Sequence, residues 1–242
     1  MSVIYPRMAV IGCGLIGSSV IRAAREAGVV GVVAVADASE AHRNRIIELG
    51  YADEVTADIG EAVKDADLVV LAVPVLAMGE AAKAAAASLK PGATVTDVGS
   101  VKGSVADALA AALPDSVFII PGHPIAGTEH SGPDAGLAEL FQNRWVILTP
   151  QARTDEPYIE AVGRLSEFWR ALGANVDQMD DRHHDLVLAV TSHLPHLIAY
   201  NIVGTAADME EVTQAEVMKY SAGGFRDFTR IAASDPTMWR DV

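Results

Sequence analysis

The segment Gly12-Cys13-Gly14-Leu15-Ile16-Gly17 lies directly between a short apolar run, Met8 to Ile11, and a stretch of helical character, Ser18 to Ala27. Glycines at this spacing after a strand impose a strand, tight turn and helix. Only residues without a Cβ permit the turn, the close approach of backbone to a ligand, and the packing of helix on strand. Further apolar runs follow: Val32 to Ala36, Leu68 to Val73, Thr94 to Val98, Val117 to Ile120 and Trp145 to Leu148, with helix-like stretches between most of them. Continuous apolarity suits strands covered on both faces, and alternation with helices implies a parallel, doubly wound sheet. The alanine-rich Gly79 to Leu89, stopped by Lys90-Pro91-Gly92, predicts one crossover helix. Tyr158 to Leu172 predicts another, with Ile159, Val162, Leu165, Phe168 and Trp169 at helical spacing before Gly173, and Asn175 to Val176 predicts an edge strand.

After Asp180 the texture changes to helices, Arg182 to about Met209 and Val212 onward. The fold class is therefore α/β, a Rossmann-type doubly wound and mainly parallel sheet over residues 1–178, followed by an all-helical domain over 179–242. Ser234-Asp235-Pro236 reads as a helix start just before Val242, so the helical domain is expected to continue and to be truncated here. Charged residues, glycine or proline interrupt each long apolar stretch, so no membrane span and no membrane partner are expected. A formal charge of -14, with acids scattered along the chain, opposes binding to nucleic acid. One cysteine, Cys13, excludes a disulfide framework and a thiolate metal site, and suits a cytoplasmic protein.

The glycine turn at a helix N-terminus is a phosphate-binding device, since free N–H groups and the helix dipole both favour an anion. The second strand ends at Asp37, where an acid accepts hydrogen bonds from adenosine ribose hydroxyls and repels a 2′-phosphate. That favours NAD over NADP, although Ser39 and the nearby Arg43 could accommodate a 2′-phosphate. The predicted cofactor contacts are Gly12, Gly14, Leu15, Ile16, Gly17 and Asp37, with Val73 and Pro74 at the end of the third run.

Two further segments follow predicted strands four and five: Asp97-Val98-Gly99-Ser100-Val101-Lys102, and Pro121-Gly122-His123-Pro124-Ile125-Ala126-Gly127-Thr128-Glu129. Open α/β sheets bind ligands at these strand ends. His123, on a loop between glycine and proline, is a candidate base for an alcohol proton, with Ser100 holding its other ring nitrogen. Thr128 and Glu129 are candidate pocket residues, while Lys102 either adds positive charge or is a solvated loop lysine. His183 and His184 read as solvated positions; no zincin-type motif is present, and no metal is expected. Arg226 and Arg230, four apart on a predicted helix, repel each other unless an anion lies beside them.

Three segments, GHPIAGTEHSG (122–132), TSHLPHLIAYNI (191–202) and SAGGFRDFTRIAASDPTMWRD (221–241), resemble signature segments of the prephenate/arogenate dehydrogenases, also called cyclohexadienyl dehydrogenases. With the glycine turn the resemblance runs from residue 8 to the end. It implies NAD-dependent oxidative decarboxylation of prephenate to 4-hydroxyphenylpyruvate or of arogenate to tyrosine, in tyrosine biosynthesis. It further implies a helical substrate and dimerisation domain that forms a homodimer. In that pattern His123 meets the ring 4-hydroxyl and Ser100 orients it; Ser192 and His196 approach the substrate side chain, and Arg230 grips a carboxylate. Trp239 either packs or reaches a neighbouring subunit's pocket. The readings that compete are another Rossmann-plus-helices dehydrogenase, of β-hydroxy acids or imino acids, and a non-catalytic NAD-binding regulator that would need no His123.

Overall fold

The computed structural model describes residues 2–128, 130–208, 216, 219, 220, 223, 225 and 229–233. By its internal contacts the chain divides into two compact units, Met1–His184 and Asp185–Val242.

The first unit is built on a six-stranded parallel sheet of β1 (Tyr5–Ile11), β2 (Val30–Ala36), β3 (Glu54–Thr56), β4 (Leu68–Leu71), β5 (Thr94–Asp97) and β6 (Phe118–Ile119). Their spatial order is β3-β2-β1-β4-β5-β6. The chain moves outward from β1 to β3, then crosses back to β4 and moves outward the other way, which opens a crevice at the strand ends between β1 and β4. Helices α1 (Leu15–Ala27), α2 (Glu40–Leu49), α3 (Ile59–Val63), α4 (Met78–Ala86) and α5 (Gly103–Ala112) connect the strands. β3 was absent from the sequence reading because it is three residues long and without a buried residue, so predicted strands four and five are β5 and β6.

Successive side chains of a strand point to opposite faces, and here both faces are buried. Met8, Val10, Val33, Val35, Leu68 and Val70 pack on one side with Val20, Ile21 and Ala24 of α1. Tyr158, Leu165, Phe168 and Trp169 of α6 (Glu156–Ala171) complete that layer. Ala9, Ile11, Ala34, Ala36, Val69 and Leu71 pack on the other side with Val63, Met78, Ala82, Val105 and Leu109 of α3, α4 and α5. This double burial is why the strands read as continuous apolar runs.

The run Trp145 to Leu148 departs from the expectation: as β8 it lies outside the parallel sheet. It pairs antiparallel with β7 (Gly122–Pro124) and parallel with β9 (Asn175–Gln178) in a separate three-stranded sheet. His123 is therefore in a strand and not a loop, opposite Ile147. A three-residue strand beginning with glycine and ending with proline carries no periodic signal, so its sequence has the character of a loop.

From Asp181 the backbone is helical to Ala207: α7 (Asp181–Leu188), a π-helical turn Ala189–His193, and α8 (Leu194–Ala207). Pro195, which lacks an N–H, sits in the first turn of α8 immediately after the π turn, so the helix absorbs the proline by widening instead of breaking. That corrects the expectation that no segment could span a bilayer: among the described residues, Asp181–Ala207 is long and apolar enough by length and composition.

Cys13 is fully buried in the glycine turn, and burial pushes its thiol up to about 11. At pH 8 the nucleophilic thiolate is therefore scarce as well as inaccessible. Native protein is expected to stay unlabelled by a chromogenic disulfide reagent over minutes and to react with one equivalent once denatured; prompt native labelling would contradict the buried placement.

Candidate active site

The strands that flank the crevice end level with one another, with Ile11 opposite both Ala36 and Leu71. Gly12, Asp37 and Ala72 thus emerge together. Gly12 has φ +88°, and a Cβ there would sit 2.6 Å from the Ala72 carbonyl oxygen; a Cβ on Gly17 would sit 2.1 Å from the Gly12 carbonyl oxygen. Neither position tolerates a side chain, so the turn and the close seating of α1 both require glycine. Around Gly14, by contrast, a Cβ would meet nothing within 4 Å. No side chain caps α1 and its first turn holds no acid, which leaves its leading N–H groups directed at open space suited to an anion. Leu15 and Ile16 pack partly against the core beneath. Val73, half-buried, stands beside Gly12, and Pro74 is exposed at the following turn.

Asp37 closes this end. Its carboxylate accepts from the N–H groups of Cys13, at 2.8 Å, and Ser39, at 2.9 Å, and lies 3.3 Å from the His42 Nδ1. Two carboxylate oxygens offer about four acceptor sites, so capacity for a ribose hydroxyl remains on Oδ1. Arg43, the residue that raised the prospect of a 2′-phosphate, donates from Nη1 to the carbonyls of Asp37 and Ala38 at 2.8 and 2.9 Å. These features fit a dinucleotide with an unmodified ribose.

Farther along the same edge, Asp97 ends β5 fully buried, as does Lys102, five residues on. The Lys102 ammonium donates to Asp97 Oδ2 and to the Gly122 carbonyl, the latter at 2.7 Å. Asp97 also accepts from the N–H groups of Gly99, at 2.8 Å, and Gly122, at 3.2 Å. Lys102 is thus neither a solvated lysine nor a source of positive charge for the pocket: its charge is matched by Asp97 beneath the turn. Ser100 is half-buried on that turn.

His123, one residue beyond Gly122, is buried, with 9% of its surface exposed. Its Nδ1 lies 2.9 Å from Nε2 of His184, so the partner of this nitrogen is a second imidazole and not the expected Ser100 hydroxyl. His184, read from sequence as solvated, is fully buried. Its burial was foreshadowed only by spacing: Leu188, one turn on, is also buried, whereas His183 between Asp181 and His184 is exposed. Thr128 is exposed and its Oγ1 accepts from the His130 N–H at 3.2 Å.

In the second unit Ser192 belongs to the π turn, and its carbonyl accepts from the His196 Nδ1 at 2.8 Å. A carbonyl can only accept, so the neutral His196 ring carries its proton on Nδ1. Arg230 is exposed at the start of a short 3₁₀ turn, Arg230–Ala233. Glu129, Arg226 and Trp239 lie outside the described residues.

Comparison with known proteins gives a consistent picture. Residues 20–178 match the family model for the prephenate dehydrogenase nucleotide-binding domain, and residues 180–242 match that for the prephenate dehydrogenase dimerization domain. The chain is 47% identical to a cyclohexadienyl dehydrogenase of Zymomonas mobilis over 239 residues, covering 99% of this chain and 80% of that protein. It is 35% identical to a prephenate dehydrogenase of Bacillus subtilis, covering 96% of this chain and 62% of the relative. The crystal structure of prephenate dehydrogenase from A. aeolicus in complex with hydroxyphenyl propionate and NAD+ superposes with a TM-score of 0.87 at 38% identity, over 98% of this chain and 81% of that one.

Removing one partner of the buried Lys102–Asp97 pair strands a charge. Lys102→Met is expected to cost about 3–5 kcal/mol of unfolding free energy in a denaturant titration, and adding Asp97→Asn should recover part of that loss. A Lys102→Met protein as stable as the parent would contradict the role assigned to the pair.

Proposed function

The chain belongs to the prephenate dehydrogenase family, and from that membership we propose that it catalyses the oxidative decarboxylation of prephenate to 4-hydroxyphenylpyruvate, or of arogenate to tyrosine, with NAD. The observation that carries this reading is the placement of His123. A buried histidine lies just past the C-terminal edge of a parallel sheet whose β1/β4 switch point holds a glycine turn and Asp37. Ligands of such sheets bind at this edge.

Gly12, Gly14 and Gly17 hold the pyrophosphate of the cofactor against the N-terminus of α1, with Leu15, Ile16, Val73 and Pro74 beside it, while Asp37 accepts from the ribose hydroxyls. NAD, when bound, supplies the acceptor for the hydride that leaves ring carbon 4. His123 takes the proton of the 4-hydroxyl as the oxygen becomes a carbonyl oxygen. The ring carboxylate then departs as carbon dioxide, its bonding pair entering the ring, and the proton returns from His123 to the phenolate oxygen. Aromatisation provides the driving force, so the protein's task is to orient the ring and carry one proton. Ser100 keeps a place at the rim of the site on the turn leaving β5, with Thr128 and Glu129 as further pocket residues. Arg230 grips a substrate carboxylate, a task that suits a planar guanidinium, and Ser192 and His196 meet the side chain. Arg226 and Trp239 remain candidates for substrate contact. The protein is read as cytoplasmic.

The second unit is the proposed dimer interface. Leu186, Val190, Leu194 and Leu197 form an exposed stripe at helical spacing, flanked by Ile198 and Val203. An exposed apolar stripe marks an interaction surface, and the match of residues 180–242 to a dimerization domain supports a second copy of this chain as the proposed occupant.

Purified protein with NAD and either acid is expected to accumulate reduced nicotinamide, measured by absorbance, faster than with NADP. His123→Asn should lower kcat by about 10²–10⁴-fold with NAD affinity by calorimetry unchanged; near-parental turnover would remove His123 from the role of base. In sedimentation the parent is expected to run as a dimer and Val190→Glu/Leu197→Glu as a monomer. Identical masses for the two would place the interface elsewhere.

A further inference from the structure

The hydrogen bond between His123 Nδ1 and His184 Nε2, 2.9 Å long, joins two buried imidazoles whose rings meet edge to face, with centroids 5.1 Å apart and planes at 63°. A neutral imidazole has one N–H donor and one acceptor nitrogen, so one hydrogen bond between two such rings ties their tautomers together. Only two arrangements exist. In one, His123 carries its proton on Nδ1 and donates to His184 Nε2, so that His123 Nε2 is a lone pair. In the other, His184 donates from Nε2, and His123 then bears its proton on Nε2 and cannot accept another there.

The arrangements differ again once His123 has taken a proton. An imidazolium has N–H at both nitrogens, so its Nδ1–H requires an acceptor opposite. The first arrangement already provides it. The second would set two N–H groups against each other at hydrogen-bond distance, in a buried place where water cannot relieve the conflict. His184 is held for this by its own helix: its backbone N–H donates to the Asp180 carbonyl at 3.0 Å in the first turn of α7, and the side chain is fully enclosed.

We infer that His184 is a positioning residue for the reaction: its Nε2 accepts from His123 Nδ1, which fixes His123 in the tautomer that presents Nε2 to the 4-hydroxyl and stabilises the imidazolium formed. This rests on the proposed dehydrogenase reading, with His123 as base. In the proton step the substrate O–H bond breaks and an Nε2–H bond forms on His123. The O–H electron pair becomes the second bond of the new carbonyl as hydride leaves carbon 4, and the proton is later returned to the phenolate. His184 gains and loses no proton. The contact does the work assigned from sequence to Ser100, through a residue that the sequence reading left in solvent.

The test combines tautomers with kinetics. Long-range ¹H–¹⁵N spectra of the full chain, with resonances assigned through His123→Asn and His184→Gln, are expected to show His123 protonated at Nδ1 and His184 protonated at Nδ1. A His123 protonated at Nε2 overturns the inference, whether or not any variant folds. His184→Leu, which removes the acceptor, should lower kcat by about 10²-fold, at the lower end of what a general base contributes, with KM for NAD changed less than about twofold. His184→Gln, whose Oε1 can accept from His123 Nδ1, should restore kcat to within about tenfold of the parent, the residue of an imperfect acceptor geometry. In the His123→Asn background His184→Leu should cost nothing further, because residues acting as one unit are not additive. A His184→Leu protein with parental kcat, a Gln variant as impaired as Leu, or a full His184→Leu effect without His123 would each overturn it. A parent that turns over neither acid would remove the dehydrogenase reading, a result separate from the tautomer spectrum.

Discussion

Two opposite charges withdrawn from water hold the reactive edge of this protein in place. Lys102 and Asp97 are both fully enclosed, and each is tied to Gly122 as well as to the other. The ion pair therefore links three parts of the chain: the end of β5, the turn into α5 and the start of β7. Burying charges is costly, and such a pair is retained only where its geometry is well satisfied. Its position explains what is gained. Gly122 is the residue before His123, so the network sets where β7 leaves the parallel sheet and where the histidine begins.

The rest of the edge follows from the sheet. Parallel strands end on one side, and the return of the chain from β3 to β4 opens that side between β1 and β4. Apolar side chains on both faces, under α1 and α6 on one and α3, α4 and α5 on the other, leave the strand ends as the place where polar chemistry emerges. Asp37, Asp97 and His123 are all found there, on the same edge although they are distant in sequence. Asp97 ends β5, Asp37 directly follows β2 and His123 lies within β7, so the packing of the strands and not a long loop fixes where these groups stand.

The glycine turn, Asp37 and the strand runs are legible in the sequence because each carries a mark in residue type and spacing, even where the contact behind it, as between Asp37 and Cys13, is distant in the chain. A backbone that admits no Cβ must be glycine, and a strand covered on both faces must be apolar throughout. The burial of Lys102 and His184 is not legible in the sequence, for the opposite reason. A lysine or histidine carries no local mark that separates a buried, paired side chain from a solvated one; its partners, Asp97 and His123, come from other elements. The apolar length of Asp181–Ala207 is hidden in the sequence because Pro195 interrupts the apolar stretch, whereas a π turn carries the helix past it. β7 escaped notice because three residues are too few to display a period.

The sequence by itself determined the class of fold and the cofactor turn, and it singled out Asp37 and His123 as candidates, since these are matters of covalent geometry, motif spacing and apolar pattern. Only the tertiary structure decided which side chain stands behind His123, that Lys102 neutralises Asp97, and that Trp145 to Leu148 leaves the main sheet to pair with the histidine's own strand. Those are contacts across 61, 5 and about 24 residues of chain. The physical reason is that a hydrogen bond or an ion pair depends on distance in space, and spatial neighbours are assigned by the packing of whole elements. Even the five-residue case is completed from another element, since the Gly122 carbonyl accepts from Lys102 and the Gly122 N–H donates to Asp97.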